Sequence, residues 1–181
     1  FVVDTEENLM QNGGSYYILP VIRGKGGGLG LDKTGNETCP ISVVQSPFDT
    51  EHGLPVRIAS PYLILNIYEG LPLSLAFTAV PTCAETPSQW TVVEDLPTGK
   101  SLKLSGFYDN AMSGWFNIQK YANDYKLTFC PRDSDTCGDV GVNVDENGVR
   151  QMVVDEANGP LLVMFKKATE SSTNIKLRGA I

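Results

Sequence analysis

Ser15-Tyr16-Tyr17-Ile18-Leu19-Pro20-Val21-Ile22 places aromatic and branched side chains in consecutive positions. Tyr, Ile and Val fit a pleated, half-buried surface, so the run reads as a β-strand. Working outward from it, the same signal recurs at 41–45, 55–59, 67–69, 73–77, 90–94 and 102–104. It continues at 115–118, 126–129, 142–144, 150–154 and 161–165. Turn-forming residues separate the runs at intervals of roughly 8–15 residues, the spacing of an all-β sandwich or barrel. No window keeps a helical apolar stripe over about ten residues. Gly70-Leu71-Pro72-Leu73-Ser74-Leu75-Ala76-Phe77 is echoed by Gly159-Pro160-Leu161-Leu162-Val163-Met164-Phe165. Each is a turn, a proline and an apolar strand ending in Phe, which agrees with three units of about 60 residues.

The chain has 181 residues, 41% hydrophobic and 19% charged, enough for one domain with a sizeable core. A single domain over 1–181 is expected. The stretch 168–181, with Thr169-Glu170-Ser171-Ser172-Thr173, lacks periodicity and is expected to be a loose tail or to pack late on the surface. The net charge is −7 and the pI is near 4.7. That balance offers no basic footprint, so neither a nucleic acid nor a membrane surface is an expected partner. No run of about 18 apolar residues predicts a transmembrane helix. Phe1-Val2-Val3-Asp4 has no charged segment followed by a long apolar one, so no signal peptide is expected within this sequence.

Chemistry of a catalytic kind finds little support. Gly24-Lys25-Gly26-Gly27-Gly28-Leu29-Gly30 lacks the Ser or Thr after Gly-Lys that a phosphate loop needs, and lacks the dinucleotide spacing, so it reads as a flexible hairpin or tight turn. His52 is the one histidine, set in the polar Glu51-His52-Gly53, and reads as solvated rather than catalytic. Glu94-Asp95 and Glu6-Glu7 could imitate a glycosidase pair, but neighbours on a strand point to opposite faces. The four cysteines, Cys39, Cys83, Cys130 and Cys137, permit two disulfides in any of three connectivities. No Cys-x-x-Cys occurs and His52 is remote from all four, so no zinc site, other metal or cofactor is expected. Asn36-Glu37-Thr38 is an N-glycosylation sequon in a polar turn.

Ser60-Pro61-Tyr62-Leu63-Ile64-Leu65-Asn66 is apolar yet opens like a loop, because Pro61 fixes its own φ and pushes Ser60 to an extended conformation. Periodicity alone favours a buried strand; the alternative is a segment offered to a partner. Resemblance changes that weighting. The loop followed by Glu69-Gly70-x-Pro72-Leu73-Ser74-Leu75-x-Phe77 resembles the plant Kunitz-type protease inhibitors, the soybean trypsin inhibitor family. So do Gln11-Asn12-Gly13-Gly14-x-Tyr16-Tyr17-Ile18-Leu19-Pro20, Trp90-x-Val92-Val93-Glu94-Asp95-Leu96-Pro97 and Tyr125-Lys126-Leu127-x-Phe129-Cys130-Pro131.

The resemblance implies a β-trefoil, twelve strands in a barrel capped by hairpins. It implies the pairs Cys39–Cys83 and Cys130–Cys137, hence an oxidising compartment, either secreted or a vacuolar storage body. It implies a serine protease as partner and 60–66 as the reactive loop, with Leu63-Ile64 as the reactive bond. It makes Asn12 a brace beneath the loop, since its amide has two donors and an acceptor; without the resemblance, Asn12-Gly13 is a hairpin turn. Leu63 stands where trypsin-directed members carry a basic residue, so a chymotrypsin-like enzyme is expected first, then an elastase- or subtilisin-like one. The rival is a protein that keeps the fold without inhibiting: a seed storage or stress albumin, or a carbohydrate-binding protein.

Overall fold

The structure, a computed structural model, describes residues 1–155, 157 and 159–169. Among them the strands are β1 (Gly14–Pro20), β2 (Leu29–Asp32), β3 (Ser42–Gln45), β4 (Val56–Ala59), β5 (Ser74–Phe77), β6 (Ser88–Leu96) and β7 (Gly99–Leu104). There follow β8 (Ala111–Met112), β9 (Gly114–Tyr121), β10 (Asp124–Pro131), β11 (Gly138–Val144), β12 (Arg150–Val154) and β13 (Val163–Lys167).

The pairing separates these strands into a barrel and a cap. β1 lies between β4 and β13, β4 pairs with β5, and β10 lies between β9 and β13. One bridge, Leu73 to Phe116, joins the entry of β5 to β9 and closes the ring. The hairpins β2/β3, β6/β7 and β11/β12 form the cap, meeting in a triangle in which β3, β7 and β12 pair with one another. The chain thus repeats strand, hairpin, strand three times, which is the β-trefoil. β8 is an addition to the twelve, a two-residue strand on β6.

Alternation places Tyr16, Ile18, Ile58, Leu75, Leu127 and Phe165 inside, all fully buried. The single-bridge seam is filled by aromatics: ring centroids run Phe77–Trp90 5.1 Å, Trp90–Phe116 6.1 Å and Phe116–Phe129 5.2 Å. Tilted and edge-on pairs of this kind add about 0.5–1.5 kcal/mol each beyond area burial.

Three sequence expectations are corrected. Residues 67–69 form no strand: Ile67 is buried and exchanges bonds with Met10 and Val2, and Glu69-Gly70 already turn. The echo does not mark the repeat, because β5 opens the second unit whereas β13 closes the third. The glycine run is no flexible hairpin: a tight turn falls at 23–24, and Gly26 to Gly28 approach β2, where a Cβ on Gly28 would overlap the His52 carbonyl and one on Gly27 that of Phe48. Ala168 is buried and donates to the Ser15 carbonyl at 3.0 Å; of the expected loose tail, 170–181 lies outside the described residues.

The disulfides are Cys39–Cys83 and Cys130–Cys137, with sequence separations of 44 and 7. Loop closure makes the first worth about 4 kcal/mol and the second about 2. Removing Cys39–Cys83 by paired Ser substitution is therefore expected to cost about twice as much unfolding free energy as removing Cys130–Cys137, read from denaturant midpoints; equal losses would contradict this.

Candidate functional site: the loop between β4 and β5

β4 ends at Ala59 and delivers the chain to a loop whose side chains face solvent. Leu63 is 105% exposed, Leu65 86% and Tyr62 55%, while Ile64 and Asn66 are half-buried. Three large apolar side chains held in water gain nothing in the isolated protein; each would stabilise a complex by about 1.5–3 kcal/mol on burial. The buried-strand reading of 60–66 fails here for a plain reason. Its flanks pair, but its centre has no strand beside it: only Asn66 bridges, to Gln11.

The backbone is held from below. The Asn12 side-chain oxygen accepts the Ser60 N–H at 2.7 Å, and its amide nitrogen donates to the carbonyls of Tyr62 at 3.1 Å and Ile64 at 3.0 Å. Its backbone N–H donates to Leu65 O at 2.9 Å. One asparagine therefore fixes both sides of the Leu63–Ile64 peptide. Within the loop, Tyr62 N–H donates to Ser60 Oγ at 3.2 Å and Ile64 N–H to the Tyr62 carbonyl at 3.0 Å.

Asn12 is positioned by its own turn. Gly14 N–H donates to Gln11 O at 3.0 Å, and Gly13 sits at φ +82°, which glycine adopts without penalty. The turn and the support are one feature rather than alternatives. Gly13 also donates to Ile58 O at 2.7 Å, and its missing side chain lets the Arg57 guanidinium lie across the turn.

The remaining sequence candidates do not converge on the loop. His52 is exposed and packs against Tyr17 at 5.5 Å between ring centroids. Glu6-Glu7 lie in a turn capped by Asp4, not on a strand, and Asp95 has φ +63° at the irregularity that ends β6. Among the described residues no cluster of His, Cys, Asp and Glu is arranged to hold a metal. Asn36 is exposed in the turn between β2 and β3.

One feature escaped sequence reading. Lys103 Nζ donates to Glu37 Oε2 at 2.8 Å, Thr34 Oγ1 at 2.9 Å and Ser42 Oγ at 2.7 Å, and both charged side chains are only 4% exposed. Tyr108 donates to Glu37 Oε2 at 2.7 Å, while Glu37 Oε1 accepts from Thr34 N–H and Ser42 Oγ. Burial pushes the Glu37 carboxyl up, but the Lys103 ammonium and the Ser42, Tyr108 and Thr34 donors outweigh it, so the group is held below its ordinary range. Burial, followed by the adjacent Glu37 carboxylate, raises Tyr108.

Residues 2–167 match the family model described as trypsin and protease inhibitor. The Kunitz-type trypsin inhibitor KTI1 of Glycine max is 42% identical over 180 residues, covering 95% of this chain and 87% of that protein. Soybean trypsin inhibitor superposes with a TM-score of 0.86 at 46% identity, covering 93% of this chain and 99% of that one. The same score and coverage, at 45% identity, hold for a complex of porcine pancreatic trypsin with soybean trypsin inhibitor.

Proposed function

This chain belongs to the Kunitz family of legume trypsin and protease inhibitors, and on that premise we propose that it binds a serine protease as a substrate would, presenting Leu63–Ile64 as the reactive bond. The observation that carries the reading is the Asn12 support: one amide bonded to the carbonyls on both sides of the Leu63–Ile64 peptide, beneath a fully exposed Leu63. A preorganised loop loses little entropy on docking, which is where inhibitor affinity comes from. Held at both ends, a cleaved Leu63–Ile64 bond keeps its amine beside its acyl carbon, so religation competes with release.

Leu63 sets the target. A trypsin pocket ends in a buried carboxylate, which leucine would leave unpaired; an apolar pocket gains the leucine's burial. The preferred enzyme is therefore chymotrypsin-like, with elastase- and subtilisin-like ones next. Two disulfides fit passage through an oxidising secretory route, ending outside the cell or in a storage vacuole. The test is an inhibition panel of trypsin, chymotrypsin, elastase and subtilisin. Strongest inhibition of chymotrypsin is expected; failure against all four would favour the non-inhibitory storage albumin.

Asn12→Ala is expected to leave the barrel folded, because only a surface loop loses its support. Cleavage at Leu63–Ile64 during long incubation with the target should rise. Equal cleavage in mutant and parent would reduce Asn12 to a turn residue.

A further inference from the structure

We propose that Asn36 carries an N-linked glycan whose first sugars lie in the cleft between the tips of the three cap hairpins. The sequon Asn36-Glu37-Thr38 sits on a tight turn in which Glu37 N–H donates to Thr34 O at 3.1 Å and Gly35 takes φ +57°. That turn drives the Glu37 side chain inward to Lys103 and leaves Asn36 and Thr38 exposed on either side of it. Both residues that the modification requires thus face outward, and the residue between them anchors the turn.

Beside Asn36 opens a cleft of about 900 Å3, its walls drawn from the hairpin tips at 34–41, 96–98 and 145–147 and from Phe107 and Tyr108. The charges in its floor are already committed. Three side-chain oxygens take the three protons of Lys103, both Glu37 oxygens accept bonds, and Asp145 accepts from Asn147 N–H, Val149 N–H and Gln151. The one lining charge outside these bonds is Glu146, exposed at the rim, so the floor itself offers an ionic ligand no counter-charge. A neutral polyhydroxyl chain fits better: Phe107 is 40% exposed and lines the cleft as an apolar surface for a sugar, and Asn147 is an exposed amide residue for its hydroxyls. A glycan at Asn36 is tethered at the rim, so seating it needs no affinity of its own beyond weak contacts.

The covalent step uses a lipid-linked oligosaccharide pyrophosphate, the donor of the secretory route in which disulfides form. Asn36 Nδ2 attacks C1 of the reducing-end N-acetylglucosamine; the C1–O bond to the pyrophosphate breaks, the lipid pyrophosphate leaves, and the amide nitrogen gives up one proton. None of this rests on inhibition. β4 carries the chain from the cap hairpin to the loop at 60–66, so the glycan lies away from the protease-binding face.

The test is to secrete the chain from a eukaryotic host and compare it with Asn36→Gln, Thr38→Ala and Thr38→Ser variants and with endoglycosidase-treated protein. An N-glycan mass on the peptide containing Asn36 is expected, kept in Thr38→Ser and lost in the other two. Amide exchange at Thr98, Phe107 and Tyr108 should be several-fold slower with the full glycan than after trimming. Chymotrypsin inhibition should be the same in all forms. An unmodified Asn36 overturns the site; a glycan that leaves exchange at those amides unchanged overturns its seating in the cleft.

Discussion

Leu63→Arg is expected to tighten inhibition of trypsin and to weaken inhibition of chymotrypsin. Leu63 is fully exposed, so the substitution costs the free protein little, and the Asn12 bonds that hold the loop are made to backbone atoms. In a trypsin pocket the guanidinium pairs with the buried carboxylate, while in an apolar pocket it is desolvated without a partner. Breaking or making a buried charge pair is worth about 3–5 kcal/mol, roughly a hundred- to several-thousand-fold in an inhibition constant. Trypsin inhibition should tighten by about that factor and chymotrypsin inhibition should weaken comparably. Inhibition constants for both proteins against both enzymes check this. Unchanged trypsin inhibition would mean that Leu63 does not enter the pocket.

The second large effect lies far from the loop. Glu37→Gln keeps the shape of the side chain but leaves the buried Lys103 ammonium with neutral hydrogen-bond partners and only the longer-range charge of Asp145. Removing one partner of a buried pair costs about 3–5 kcal/mol, or roughly 6–20 °C in Tm for a chain of this length. Glu37→Gln combined with Lys103→Met should recover most of the loss, because no charge then remains to be paired. A Glu37→Gln protein as stable as the parent would show that the pair contributes nothing. The pH dependence has a definite sign. Glu37 titrates lower in the folded protein than its ordinary value, so the unfolded chain takes up its proton first. Its contribution is complete above the ordinary carboxylate range and is lost as pH falls through the lower, folded value. The parent should therefore lose stability in acid more steeply than Glu37→Gln.

The barrel was legible because its strands alternate: in β5, Leu75 and Phe77 point inward while Ser74 and Ala76 do not. β2 was not legible, because Leu29-Gly30-Leu31-Asp32 is short and follows a glycine run whose purpose is close backbone approach to 46–53, a contact that no local pattern encodes. The partner of Lys103 was not legible for another reason. Lys103 lies between Leu102 and Leu104 in the part of β7, 101–104, that is buried on both faces, and its charge is met by Glu37, 66 residues away. The loop divides similarly. Pro61 marked its start as a loop, but its apolar run argued for a buried strand, and only the resemblance pointed to Asn12, whose bonds span 48 to 52 residues and depend on the way β1 and β4 pair.

The most direct measurement is limited digestion of the parent protein with a catalytic amount of chymotrypsin, followed by sequencing of the new termini. The expected result is a single new N-terminus at Ile64, an intact fraction that persists at equilibrium, and a protease that stays inhibited throughout. Cleavage at other bonds with Leu63–Ile64 intact, or steady digestion with no loss of protease activity, would contradict it.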